Sequence, residues 1–210
     1  MKSDFQLFDH AFIDNHAERT LFLLHGTGGS KEDFLFLNQF LGSSYNLVGL
    51  RGNVDEAGSA RFFRRLHVGV FDQESIQEEV EKLGRFVQAW CVEYQTVPER
   101  LTFLGYSNGA NILIAGLFRT PQLFQRLVLL HAMLPFTVKP EELNLSTHQL
   151  FISLGSNDPL VSPKQQQALI ETLTKAKARL TVKEYDGGHE VSPQELEDVL
   201  AFLVQSTDKI

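Results

Sequence analysis

The chain has 210 residues, 43% of them hydrophobic and 21% charged, with a formal net charge of −7. That length fits one domain that buries about 70% of its unfolded surface, and the acidic balance argues against nucleic acid and anionic membrane surfaces as partners. Cys91 is the only cysteine, no apolar run approaches a membrane span, and the first residues, "MKSDFQLFDHAF", carry no secretory pattern. A single cytoplasmic domain over residues 1–210 is the expectation.

Taken in chain order, "TLFLLHG" and "YNLVGLRG" are short apolar runs closed by glycine, and both read as buried strands. Between them lies the glycine-rich "HGTGGSK". Residues Gly52 to Asp72 follow as one long irregular stretch, a length uncommon in loops without a role. A helix is expected next, because Ile76, Val80, Leu83, Val87, Trp90 and Tyr94 recur at steps of three and four. "RLTFLGY" then reads as a strand and "NGANILIAGLF" as a helix that is apolar nearly all round. Three further strands are expected in "QRLVLLHA", "HQLFISLGS" and "RLTVKEYDG". Two late helices announce their starts with "SPKQ" at Ser162 and "SPQE" at Ser192. Each is a capping box with proline at the first helical position.

Near-continuous apolar strands alternating with helices imply an α/β fold with a mostly parallel sheet covered on both faces. Ligands in such sheets bind at the carboxyl ends of the strands. The chemistry-bearing residues fall there.

"FLGYSNGAN" places Ser107 between Gly105 and Gly109, after a strand and before a helix. That context marks a nucleophile elbow, in which small neighbours make room for a strained serine. A serine hydroxyl needs a base, and a base needs an orienting carboxylate. Among seven histidines, His189 in "YDGGHEVSPQE" lies C-terminal to both the serine and a plausible acid. Asp158 follows a strand in "LGSNDPLV", giving the order Ser107, Asp158, His189 expected of an α/β-hydrolase. Asp186, three residues before His189, is the rival acid. His25 reads as an anchor of its loop, His131 ends a strand, and His10, His16, His67 and His148 read as surface residues.

The "HGTGGSK" segment fails as a phosphate loop, because Ser30 rather than glycine precedes Lys31 and Glu32 follows it. It fits a loop that donates a backbone N–H to an oxyanion, with Thr27 and Asn108 as the candidate donors. No histidine spacing suggests a metal site, so neither metal nor organic cofactor is expected.

Together these segments resemble the phospholipase/carboxylesterase group of α/β-hydrolases, which includes acyl-protein thioesterases and small bacterial carboxylesterases. "LLHGTGGSKEDF", "RGNV", "RFFRRL", "GVFD", "LGYSNGAN", "SNDPLV" and "GGHEVSPQELE" fall in the group's order over nearly the whole chain. The resemblance implies an α/β-hydrolase fold with no large cap domain, a Ser107–His189–Asp158 triad, and an oxyanion hole at Thr27 and Asn108. It also implies hydrolysis of a small-molecule ester of short to medium chain or aromatic character. Acyl thioesters or lysophospholipids, quinone-derived or other aromatic compounds, and a catalytically silent ligand-binding role are the alternatives. Phe62, Phe63, Phe71, Met133 and Leu160 are candidate pocket residues, Arg64 and Arg65 read as solvated, and a homodimer is a candidate assembly.

Overall fold

A computed structural model describes residues 4–67 and 69–205. Seven strands build the central sheet: β1 (His10–Ile13), β2 (Thr20–Leu24), β3 (Asn46–Leu50), β8 (Leu101–Tyr106), β9 (Arg126–Leu130), β10 (Gln149–Gly155) and β11 (Arg179–Tyr185). Their spatial order is β1-β3-β2-β8-β9-β10-β11, and every pairing is parallel except β1 with β3. Six of these strands are the runs expected from sequence, but β11, at the far edge of the sheet, is mostly exposed rather than buried. The seventh, β1, is only four residues long and half-buried throughout. An edge strand covered on one side needs no apolar run, so its pattern gives little signal.

The helices are α1 (Asn38–Leu41), α2 (Gln73–Glu93), α3 (Asn108–Arg119), α4 (Pro163–Lys175) and α5 (Pro193–Val204). Residues of α2, α3 and α4 join one apolar cluster and those of α1 and α5 another, so the sheet is covered on both faces. On α2, Ile76, Val80, Leu83, Val87 and Trp90 are buried, while Tyr94 at the helix end stays exposed. Both capping boxes form: the Ser162 and Ser192 side chains accept from the N–H of Gln165 and Glu195, whose own side chains reach back to the serine N–H. Among the described residues, no helix is long and apolar enough to cross a membrane.

The stretch from Gly52 to Asp72 is not irregular. It folds into two antiparallel hairpins, β4 (Val54–Glu56) with β5 (Ser59–Arg61) and β6 (Arg65–His67) with β7 (Val70–Phe71); Val68 lies outside the described residues. Strands of two or three residues are too short to show a period, which is why the sequence reads as a loop. Between the hairpins, Phe62 and Phe63 are fully buried and belong to the main core. The expectation that they line the pocket is therefore corrected. Phe62 packs on Phe8 and on the His25 ring, and Phe63 packs edge-on against Phe71. His148 is likewise buried rather than on the surface, with its Nε2 2.9 Å from the Pro121 carbonyl.

Removing either buried ring leaves a cavity, so Phe62→Ala and Phe63→Ala should each lower stability by about 3–5 kcal/mol. Urea denaturation checks this. A loss below about 1 kcal/mol would mean the rings carry little of the core's packing.

Candidate active site

Ser107 sits at the turn from β8 into α3 with a φ of 52° and a ψ of −112°, a conformation that L-residues rarely adopt. The flanking glycines permit it. A Cβ on Gly105 would lie 2.5 Å from the Gly109 carbonyl oxygen, and a Cβ on Gly109 would lie 2.3 Å from that of Leu24. Strand and helix therefore cross at backbone contact, and α3 seats on the end of β2. The Ser107 N–H donates to Leu130 O at 2.8 Å, tying the turn to β9.

His189 comes from the loop between β11 and α5. Its Nε2 lies 2.8 Å from Ser107 Oγ, and its Nδ1 lies 2.7 Å from Asp158 Oδ2. With Nδ1 protonated toward the carboxylate, Nε2 is left to accept the serine proton. The Tyr106 hydroxyl donates to the His189 carbonyl at 2.8 Å and fixes the loop from below. Asp158 is held as firmly: Oδ1 accepts from the N–H groups of Leu160 and Val161 at 2.8 and 3.0 Å. Burial pushes the Asp158 pKa up, but the hydrogen bond from His189 and these two amides outweigh it and hold the carboxyl below its ordinary value. The rival, Asp186, is exposed and lies near Ser156 Oγ and Asn157 Nδ2 at 3.5 and 3.4 Å.

On the other side of the serine, Asn108 opens α3, so its N–H has no acceptor within the helix. Its side-chain Oδ1 accepts from Phe62 N–H at 2.6 Å. Thr27 is held from the hairpin, with Arg61 Nη1 donating to its Oγ1 at 2.5 Å while the Gly28 N–H donates to Ala60 O at 2.9 Å. Strand β5 and the residue after it thus brace both candidate oxyanion donors. His25 anchors the same loop, accepting the Gly52 N–H on Nε2 at 3.0 Å. Burial lowers its pKa, which keeps the ring neutral and able to accept.

The sequence profile of the phospholipase/carboxylesterase family matches residues 65–207. MhqD of Bacillus subtilis, named as a hydrolase, is 34% identical over 189 residues, covering 90% of this chain and 94% of its own. A carboxylesterase of Bacillus cereus has a crystal structure that superposes with a TM-score of 0.86 at 34% identity, covering 93% of each chain. Acyl-protein thioesterase 1 of Gibberella zeae is also 34% identical, over 51% of this chain and 48% of its own. The chain belongs to the phospholipase/carboxylesterase family. Its fold is that of an α/β-hydrolase, and it is a hydrolase of that family.

In this hydrolase the cavity at Ser107 measures about 310 Å³ and is lined by Thr27, Asn108, His189, Phe71, Met133 and Leu160, among others. Of the five candidate pocket residues, Phe71, Met133 and Leu160 reach the cavity and Phe62 and Phe63 do not. Arg65 also lines it, against the expectation that it is only solvated, whereas Arg64 is exposed and paired with Asp72 at 2.9 Å. Sequence reading missed Arg61, Tyr106 and Asn111 as further lining residues. Tyr106 and Asn111 fall within the elbow segment and were open to notice; nothing in "RFFRRL" separates a buried arginine from an exposed one.

His131 is the other residue that the sequence left without a role. It follows β9 with a φ of 51°, and its buried ring lies between two buried carboxylates. Nδ1 is 3.3 Å from Asp158 Oδ2, and Nε2 is 3.2 Å from Glu195 Oε2. Burial disfavours the charged imidazolium, but the hydrogen bonds and charges of Glu195 and then Asp158 outweigh it and raise the His131 pKa. A raised folded pKa contributes stability that is complete below the unfolded value, about 6.5, and is lost as pH rises through the folded one. The stability gap between the native chain and His131→Gln should therefore be widest below about pH 6.5 and shrink above it. Urea denaturation across pH 5.5 to 9 reads this, and a pH-independent gap would contradict it.

Proposed function

We propose that this hydrolase cleaves small carboxylic esters through an acyl-enzyme on Ser107. The observation that carries the reading is the unbroken hydrogen-bonded chain from Ser107 through His189 to Asp158, with separations of 2.8 and 2.7 Å. In the proposed cycle Ser107 Oγ attacks the ester carbonyl carbon while His189 Nε2 takes its proton. The carbonyl oxygen becomes an oxyanion facing the N–H groups of Thr27 and Asn108. Its collapse breaks the C–O bond, and His189 returns the proton to the departing alcohol. Water then attacks the acyl-enzyme, with His189 as base, and releases the acid and free Ser107. Asp158 holds the imidazole in the tautomer that each step needs.

A catalytically silent binding role fits the geometry less well, since ligand binding alone requires neither the serine–histidine contact nor the buried acid behind it. The cavity's modest volume favours short acyl groups over long lipid chains. Thioesters and lactones would pass through the same acyl step, so a panel of esters, thioesters and lactones of graded size ranks them.

A fluorophosphonate should label Ser107 stoichiometrically, and Ser107→Ala should lose about 10⁵–10⁶-fold in kcat while staying folded. Labelling at another residue, or an active alanine variant, would end this reading. Asp158→Asn keeps the shape but favours the wrong tautomer, so kcat should fall about 10²–10⁴-fold, against less than about tenfold for Asp186→Asn. Steady-state kinetics on folded variants decides between the two acids, and the reverse ranking would reassign the role.

A further inference from the structure

The wall of the catalytic cavity carries more positive charge than its neighbours neutralise. Arg61 and Arg65 line it beside Thr27, Ser107 and Asn108, and no carboxylate is among the lining residues. One carboxylate, Glu56, lies between the two guanidiniums. Its Oε1 accepts from Arg65 Nε at 2.7 Å. Its Oε2 lies 3.2 Å from Arg61 Nε, but that N–H donates to the Phe63 carbonyl, leaving Oε2 without a donor among the described residues. Two cations thus share one anion, and the excess is one positive charge.

The excess sits in poor surroundings for a cation. The Arg61 side chain is 4% exposed. Burial and repulsion from Arg65 outweigh the attraction of Glu56 and pull its pKa down, although a guanidinium stays charged at any working pH. An unmet buried donor lies beside it. Asn108 is buried and lines the same cavity, and because its Oδ1 takes the Phe62 N–H, the group left over is Nδ2, which has no acceptor among the described residues. A cavity wall whose guanidiniums carry a spare positive charge is complementary to an anion with planar acceptor oxygens.

We propose that Arg61 and Arg65 form an anion subsite in this cavity, and that the substrates are short esters bearing an ionised carboxylate, such as half-esters of dicarboxylic acids. The substrate class rests on the ester-hydrolase reading; the anion subsite does not. One excess charge matches a carboxylate rather than a phosphate dianion. Phe71, Met133 and Leu160 supply the apolar wall for the few methylenes between the two ends. Arg61 also holds Thr27, so Arg65 is the residue whose removal reports on the anion more cleanly.

The test compares monomethyl glutarate with its neutral isostere, methyl 4-carbamoylbutanoate, by methanol release and by calorimetric binding to Ser107→Ala. The half-ester should be favoured by about tenfold or more in kcat/KM and in affinity, with the preference shrinking as salt rises. Arg65→Gln should erase most of that ratio, and Glu56→Gln, which removes the competing anion, should enlarge it. Equal affinities for the two compounds, or a ratio that neither variant moves, overturns the anion subsite even if the esterase is active. A binding preference without turnover of either ester leaves the subsite standing and overturns the half-ester substrate class.

Discussion

The left-handed backbone of Ser107 is the constraint on which the site depends. A non-glycine residue in such a region costs about 1–3 kcal/mol and persists only where the surroundings impose it. Here they do so by contact: Gly105 and Gly109 let β8, α3 and the end of β2 meet at distances that no side chain would allow. The turn that results lifts the serine hydroxyl above the sheet and points the amide-rich end of α3 toward it, where partial positive charge favours an anion. The same crossing brings Leu130 within reach of the Ser107 N–H, so the strained residue keeps its backbone donor satisfied.

Around that turn the electrostatics are set by Asp158, which is buried and has every acceptor position in use. Two backbone amides, His189 and His131 converge on its two oxygens. A buried carboxylate is tolerable only when hydrogen-bonded in this way. His131 adds a second condition, because it also faces Glu195, whose side chain closes the capping box of α5. The carboxylate behind the His189 ring is thereby linked to the start of the last helix, and the loop bearing His189 is held between them and Tyr106.

The two hairpins between Gly52 and Asp72 join core and cavity. The middle of that segment buries Phe62 and Phe63 against the sheet. The adjoining residues turn the same local order outward, so that Arg61 reaches Thr27 and Arg65 reaches the cavity wall. The core packing of the phenylalanines thus fixes where the arginines stand.

Much of this was legible in the sequence, because the signals are local. Apolar runs mark the five inner strands and a weaker run marks the edge strand β11, the stripe from Ile76 to Trp90 marks α2, and the serines at 162 and 192 mark two helix starts. The elbow at Gly105–Gly109 follows from steric need within five residues, and the chain order of Ser107, Asp158 and His189 follows from where strands end. What the sequence could not decide depends on which segments meet. Asp158 and Asp186 both follow strands, and only the side-by-side placement of β10 and β11 puts the first at the imidazole and leaves the second in solvent. Within "RFFRRL" three arginines and two phenylalanines look alike in composition. Their division into core, cavity wall and surface was made by the tertiary structure, because burial is a property of what packs against a side chain rather than of the side chain itself.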